Sequence, residues 1–291
     1  MSLTIDQSFV TLFEKEVKQK YQEGHRLRGL VREKSVPGAK TVQFPVFGKG
    51  LAKQKAIHDD VTPNDVVHTN VSVAMQDWYA ADYTDIFRNN QISFDERQEL
   101  VKSLTMAIGR RVDKLLISAL AAATSSTIID EDLGGPDSDM NFDKFLAAMG
   151  ALDDAGVPDD GKRVLLMNHR SYRALLTDVK FTSSDFGQIE RFAGTSQNPN
   201  VKPYLGYKIV TIDDRIERDG SRLGLPKDGI TNIVQAMGFH QDALGMGYNM
   251  DLKSEINYIP EKLAWLTTVC FSANAVAIDQ TGIVRVECVQ A

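Results

Sequence analysis

The chain has 291 residues, 43% of them hydrophobic, enough to bury one large core or two modest ones. Met1 to Lys20 is mixed and charged, and no run of about 18 apolar residues occurs, so a secretory signal and a spanning helix are not expected. The formal net charge of −6 is uneven: between Glu14 and Lys55 eleven Lys or Arg face four Glu, and between Asp130 and Asp160 ten acidic residues face only Lys144. Overall acidity, and the lack of aromatic residues among the basic ones, argue against a dedicated nucleic-acid surface. Complementary patches that orient associating subunits fit better, beside the plainer reading of a solvated helix face.

In chain order, Phe9, Leu12, Phe13, Val17 and Tyr21 share one side of a predicted helix from Phe9 to Gln22, with Gly24 as its stop. A basic stretch from Arg26 to Lys34 follows. Lys40 to Phe47 alternates as a strand, and Pro45 confines it to an edge or terminal position. Val66 to Met75 alternates again. Between these strands, Gly48 to Asp65 is poor in apolar residues and predicts a long exposed loop, a length that is usually functional inside a compact unit. A two-stranded ribbon is marginal alone in water, so its apolar positions need support from elsewhere in the structure or from another subunit.

Ser93 to Ala123 predicts one long helix. Ser93 and Glu96 form a capping box, and Asp95 suits the positive end of the dipole. Val101, Leu104, Ile108, Val112, Leu115, Ala119 and Ala122 recur at helical spacing on one face, opposite Arg97, Lys102, Arg110, Asp113 and Lys114. Gly134-Gly135-Pro136 marks a boundary. Asn141 caps a helix from Phe142 to Asp154 presenting Phe145, Leu146, Met149 and Leu152. A buried strand is read at Arg163 to Met167, a helix capped by Asn168 runs through Leu176, and a further strand spans Tyr207 to Ile212. This alternation predicts an α/β unit. Ile233 to Phe239, Tyr248 to Ile259, Leu263 to Ile278 and Ile283 to Val289 read as strands that return to cover the long helix.

Candidate chemistry is sparse. Gly245-Met246-Gly247-Tyr248 has two glycines of a dinucleotide loop but lacks the third and precedes a strand, where that motif requires a helix. His25, His58, His68, His169 and His240 are isolated. His58-Asp59-Asp60 cannot enclose a metal alone, and His169 reads as a helix-start residue beside its cap. Cys270 and Cys288 lie in apolar strands and read as reduced core residues. No catalytic, cofactor-binding or metal-binding residue is assigned, and no enzymatic activity is expected.

The order of elements, with Leu27-Arg28-Gly29-Leu30-Val31-Arg32, Gly38-Ala39-Lys40-Thr41-Val42-Gln43-Phe44-Pro45, Ala107-Ile108-Gly109-Arg110-Arg111-Val112-Asp113-Lys114 and Gly206-Tyr207-Lys208-Ile209-Val210, resembles the major capsid proteins of tailed bacteriophages with the Hong Kong 97 fold. The resemblance implies an α+β chain with an N-arm at 1–34, an extended E-loop β-hairpin and supporting strands at 35–78, and a P-domain at 79–140 holding the spine helix 93–123. It also implies an α/β A-domain at 141–247 and returning strands at 248–291 completing both. Self-assembly into hexamers and pentamers of an icosahedral shell around double-stranded DNA, in the virion capsid and assembled in the host cytoplasm, is the implied function.

Intersubunit contacts are expected from Arg26, Arg28, Arg32, Phe47, Lys49, Lys53 and Lys55. The arginines have an acidic neighbour as first reading and DNA as second. The lysines are crosslink candidates by residue type only, since loop lysines ordinarily serve solubility. A separate scaffolding protein, a portal protein and a decoration protein are implied partners, with no cofactor and no membrane. An encapsulin-like compartment shell and a soluble α/β enzyme are the alternatives.

Overall fold

One long helix contributes to a core shared by two sheets, and a third, two-stranded sheet projects from them. The computed structural model describes residues 24–55, 57–58, 60–61, 63–89, 96–178, 201–212, 222 and 224–290. Along the chain these form β1 (Arg32–Ser35), β2 (Thr41–Phe47), β3 (His68–Ala74), β4 (Gln76–Asp85), a single turn α1 (Ile86–Asn89) and the long helix α2 (Glu96–Ala121). There follow β5 (Thr127–Ile129), α3 (Phe142–Asp154), β6 (Arg163–Asn168), α4 (His169–Thr177), β7 (Val201–Tyr204), β8 (Tyr207–Ile212), β9 (Ile233–His240), β10 (Leu244–Ile259), β11 (Ala264–Ala277) and β12 (Ile283–Val289). The sheets run β1-β10-β11-β4, β5-β12-β9-β6-β8-β7 and β2-β3. The predicted helix from Phe9 to Gln22, Ser93 of the capping box and Asp95 beside it lie outside the described residues.

Helix α2 buries Ile108, Val112, Leu116, Ile117 and Leu120. They share a core with Val269 and Phe271 of β11 and with Leu166, Val210, Met237, Phe239 and Ile283 of the six-stranded sheet. The returning strands therefore do meet the long helix. Removing one such side chain to Ala costs about 2–5 kcal/mol, so this junction dominates the stability of the body. The observed stripe is rotated toward Leu116, Ile117 and Leu120, and Ala122 faces solvent.

Asp113 corrects the predicted polar face, for it is buried. Its carboxylate accepts hydrogen bonds from the backbone N–H of Arg26 at 2.8 Å and of Leu27 at 3.1 Å. Two peptide donors that would otherwise be buried unpaired are satisfied by one charge. One helical turn earlier, a Cβ on Gly109 would lie 2.8 Å from the His25 nitrogen, so only glycine lets the chain cross α2 at that height. Leu27 and Val31 then enter the shared core. The Arg26 guanidinium reaches the Thr211 carbonyl and hydroxyl in β8. The root of the N-terminal arm is thus tied to α2 and to the second sheet at once.

Helices α3 and α4 cover the six-stranded sheet, with Phe145, Leu152 and Leu175 packed on Leu165, Met167, Ile209 and Val286. Asn141 and Asn168 are the N-caps, accepting from Lys144 N and Ser171 N, each at 2.8 Å. Leu146, expected inward, is exposed, whereas Lys144 is fully buried. The Lys144 ammonium donates to the carbonyls of Ser138 at 2.7 Å and Glu287 at 2.8 Å, which compensates its removal from water.

The short strands β1, β5 and β7 and the longer β4 have no counterpart in the sequence reading. Each is an edge strand of its sheet. Strands β1, β5 and β7 span only three or four residues, too few to show an alternating pattern, and β4 mixes acidic with aromatic residues.

Replacing Asp113 by Ala should lower stability by roughly 2–3 kcal/mol. Limited proteolysis should then cut preferentially at Arg26 and Arg28, with Asp113→Asn intermediate in both measurements.

Candidate intersubunit surface

The β2-β3 hairpin is antiparallel, in register from Thr41 opposite Ala74 to Phe47 opposite His68. Val42, Phe44 and Val73 point to one side and form a small core with Ile278. What lies beneath them is the Gly245-Met246-Gly247 segment, now inside β10. A Cβ on Gly245 would come 2.7 Å from the Ile278 side chain and 2.9 Å from the Phe44 ring. One on Gly247 would lie 2.9 Å from Met75 and 3.1 Å from Val42. The two glycines are the seat on which the hairpin rests, and this explains a motif whose dinucleotide reading was already weak. Met246 and Tyr248, alternating with them, point the other way into the α2 core. Lys34 Nζ donates to the Gln43 carbonyl at 3.0 Å, and Asn274 Nδ2 to the Ala74 carbonyl at 2.8 Å, pinning the hairpin base further.

Beyond its base the hairpin leaves the body. Phe47, Leu51, Ile57, Val61 and Val67 are exposed, Ile57 by 89%. Phe47 stacks edge-on against His68 at 4.5 Å, the only aromatic partner it has among the described residues. Pro45 sits within β2, whose outer side has no further strand, as proline requires. Exposing this many large apolar side chains on a narrow ribbon is unfavourable for an isolated chain, and it marks an interaction surface.

The face of the β10-β11-β4 sheet that seats the hairpin continues outward uncovered. There Tyr79 pairs opposite Cys270, Tyr83 opposite Leu266, and Ala81 opposite Thr268. Tyr79 is 80% exposed. Trp78, Val269 and Phe271 occupy the alternate positions and pack toward α2. Cys270, expected in the core, therefore lies half-exposed on the open face, because its position in the two-residue period sets it opposite the buried row. Cys288 is buried, and burial pushes its thiol up to about 12.

Of the residues expected at contacts, Arg28 stays within the chain, bonding Asp251 at 3.2 Å and lying over the Tyr248 ring at 5.1 Å. Arg26 holds Thr211 as described. Arg32, Lys53 and Lys55 are exposed. Lys49 brings its ammonium to the end of α3, 3.5 Å from where a Cβ on Gly156 would be. Asp153 and Asp154 occupy the last turn of α3 without a basic residue, so a cation there suits the negative end of the helix dipole. Asp113, Gly109, Gly245 and Gly247 were not singled out as functional from sequence. The available signal was a glycine inside a helix and a glycine pair inside a strand, each of which marks a close approach of other chain segments.

His58 is exposed, and His169 is the first residue of α4, as expected. His240 Nε2 lies 3.0 Å from Asp160, whose carboxyl it holds well below the ordinary value. No cluster of three or more potential metal-ligating side chains occurs among the described residues. No helix among them is long and apolar enough to cross a membrane.

A sequence profile described as phage capsid protein matches residues 5–290. The chain belongs to the phage capsid protein family. Among curated proteins no match was found. Solved structures with the same fold include the capsid of cyanophage P-SCSP1u, at 15% identity and a TM-score of 0.69 over 98% of this chain and 94% of that one. The head structure of Helicobacter pylori bacteriophage KHP40 matches at 10% identity with a TM-score of 0.72 over 94% and 93%. The capsid of Ralstonia phage GP4 matches at 11% and 0.69 over 96% and 94%. The fold is the mixed α+β Hong Kong 97 type shared with those capsid structures.

Two predictions follow from this geometry. In the capsid protein, Gly247→Val drives a branched side chain into Val42 and should cost about 1–3 kcal/mol. Trypsin should then cleave at Lys49, Lys53 and Lys55 faster, while the circular dichroism of the body is retained. The Asp251 carboxyl is held below its ordinary value of 3.8 by the Leu252 N–H and by Arg28. A depressed acid contributes stability above its unfolded value and loses it as pH falls through the folded one. Melting temperature should therefore fall as pH drops below the ordinary carboxylate value, and Asp251→Asn should make that fall shallower.

Proposed function

We propose that this capsid protein assembles as hexamers and pentamers of a closed icosahedral shell around double-stranded DNA. The proposal holds that the hairpin of each copy lies across the open sheet face of a neighbour. The observation that carries it is the pairing, in one chain, of an apolar ribbon without cover and a sheet face whose near half is already built to seat a hairpin. The family membership supports the same reading. Residues 1–34 act as the arm, 35–78 as the E-loop, 79–140 as the peripheral domain, 141–247 as the axial domain and 248–291 as the strands that close both.

In this reading Phe47 supplies apolar contact area, and Arg32, Lys53 and Lys55 find acidic groups of the adjoining copy, while Lys49 stays at the end of α3 in its own chain. Arg26 and Arg28 act indirectly, by holding the arm root in place. Each contact is modest, and closed symmetry multiplies it into a cooperative particle. Packaged DNA is held by enclosure, since an acidic protein repels it and leaves it mobile. A separate scaffolding protein, a portal and a decoration protein are the partners this role calls for, with assembly in the host cytoplasm and no chemical step for the chain to catalyse.

Deleting Gly48 to Asp65 should leave a folded chain that forms no shells by negative-stain microscopy after coexpression with its neighbouring genes. Normal shells from that deletion would remove the hairpin from the mechanism. Cys270 gives a second readout: it should react with a thiol reagent in free capsomers and be protected in shells, with Cys288 silent in both.

A further inference from the structure

Strand β1 accompanies β10 only as far as Tyr248, and from Met250 to Tyr258 the sole strand beside β10 among the described residues is β11. In an antiparallel pair every second residue turns its N–H and C=O away from the partner, so the other edge of β10 presents a row of open backbone groups. Met250, Leu252, Ile256 and Tyr258 are exposed along it. A long edge with apolar side chains and no proline is a template for another strand. The opposite edge of the same sheet is guarded: β4 carries Asp77, Asp82 and Asp85, and such charges discourage pairing.

The order of side chains on the β10 edge selects the partner. A two-fold axis that continues the sheet into a second copy keeps each face on its own side, so it must fall at a residue and not between two. Ser254 is the middle of the open stretch. With the axis there, Lys253 lies opposite Glu255 of the second copy, and Leu252 opposite Ile256. Moving the axis by one residue sets Lys253 against Lys253 or Glu255 against Glu255, and like charges directly opposite are destabilising. Within its own chain Lys253 already bonds Glu255 at 2.5 Å, so the pairing assembles four charges of alternating sign. We propose that the β10 edge joins two copies of this chain in antiparallel register about Ser254, merging their sheets into one. Two register shifts fall between Tyr248 and Lys253, so regular pairing is centred on Leu252 to Ile256. The contact belongs to the edge itself and does not depend on the hairpin.

The test uses the full chain carrying Cys270→Ser and one new edge cysteine, oxidised mildly and read as disulfide-linked dimer on a non-reducing gel. Ser254→Cys should crosslink to itself, because residues directly opposite have Cβ atoms about 4.5–5.5 Å apart. Asn257→Cys, away from the axis, should not. Lys253→Glu and Glu255→Lys should each cut the Ser254→Cys dimer about five-fold, and the two together should restore it. The edge side chains are exposed, so these variants should keep the circular dichroism of the parent. Deleting Gly48 to Asp65 should leave the crosslink in place, which separates this contact from that of the hairpin. Absence of the Ser254→Cys dimer, its loss with the hairpin, equal crosslinking at Asn257→Cys, or a double charge variant no better than either single one would overturn the proposal.

Discussion

Between Leu244 and Tyr248 the chain alternates large side chains with none, and the rest of the molecule is arranged around that alternation. Leu244, Met246 and Tyr248 anchor the sheet on α2, while Gly245 and Gly247 leave room on the other side for Val42 and Phe44. A strand that had to fill both faces would separate either the helix or the hairpin from the body. Because the period of a strand is two, five residues suffice to separate the face that makes the core from the face that makes contacts.

The same economy appears at the arm root. Gly109 permits the crossing and Asp113 satisfies the crossing chain, one turn apart on α2. Arg26 extends the tie to β8, so an apolar core and a few charge-assisted hydrogen bonds fix the direction in which the arm leaves. In a shell, where small errors in exit angle accumulate over many copies, such fixing matters more than raw stability.

Elements carried by strong local signals were legible in the sequence. Asn141 and Asn168 cap the helices they were expected to cap, and Tyr207–Ile212 and Ile283–Val289 have the expected bounds. The edge strands of the two larger sheets were not legible: β1, β5 and β7 are too short, and β4 mixes Asp77, Asp82 and Asp85 with aromatic residues and shows no clean alternation. The inward turn of Asp113 was hidden for a different reason. Helical spacing places it beside charged neighbours, and its true partner lies 86 residues away along the chain. Long-range backbone donors leave no local trace. Among the residues proposed for contacts, Phe47 was readable as the end of an alternating strand. The internal roles of Arg26 and Arg28 depend on Thr211 and Asp251, whose proximity no sequence spacing reveals.

Strand β1 pairs in parallel with β10, joining Arg32 to Gly245 across most of the chain. Closing so large a loop is entropically costly and comes after the local β10-β11 pairing has formed its template. The hairpin base rests on that same stretch of β10 and must wait for it as well. Topology therefore favours a body that is complete before the arm root and the hairpin base have a strand to rest on.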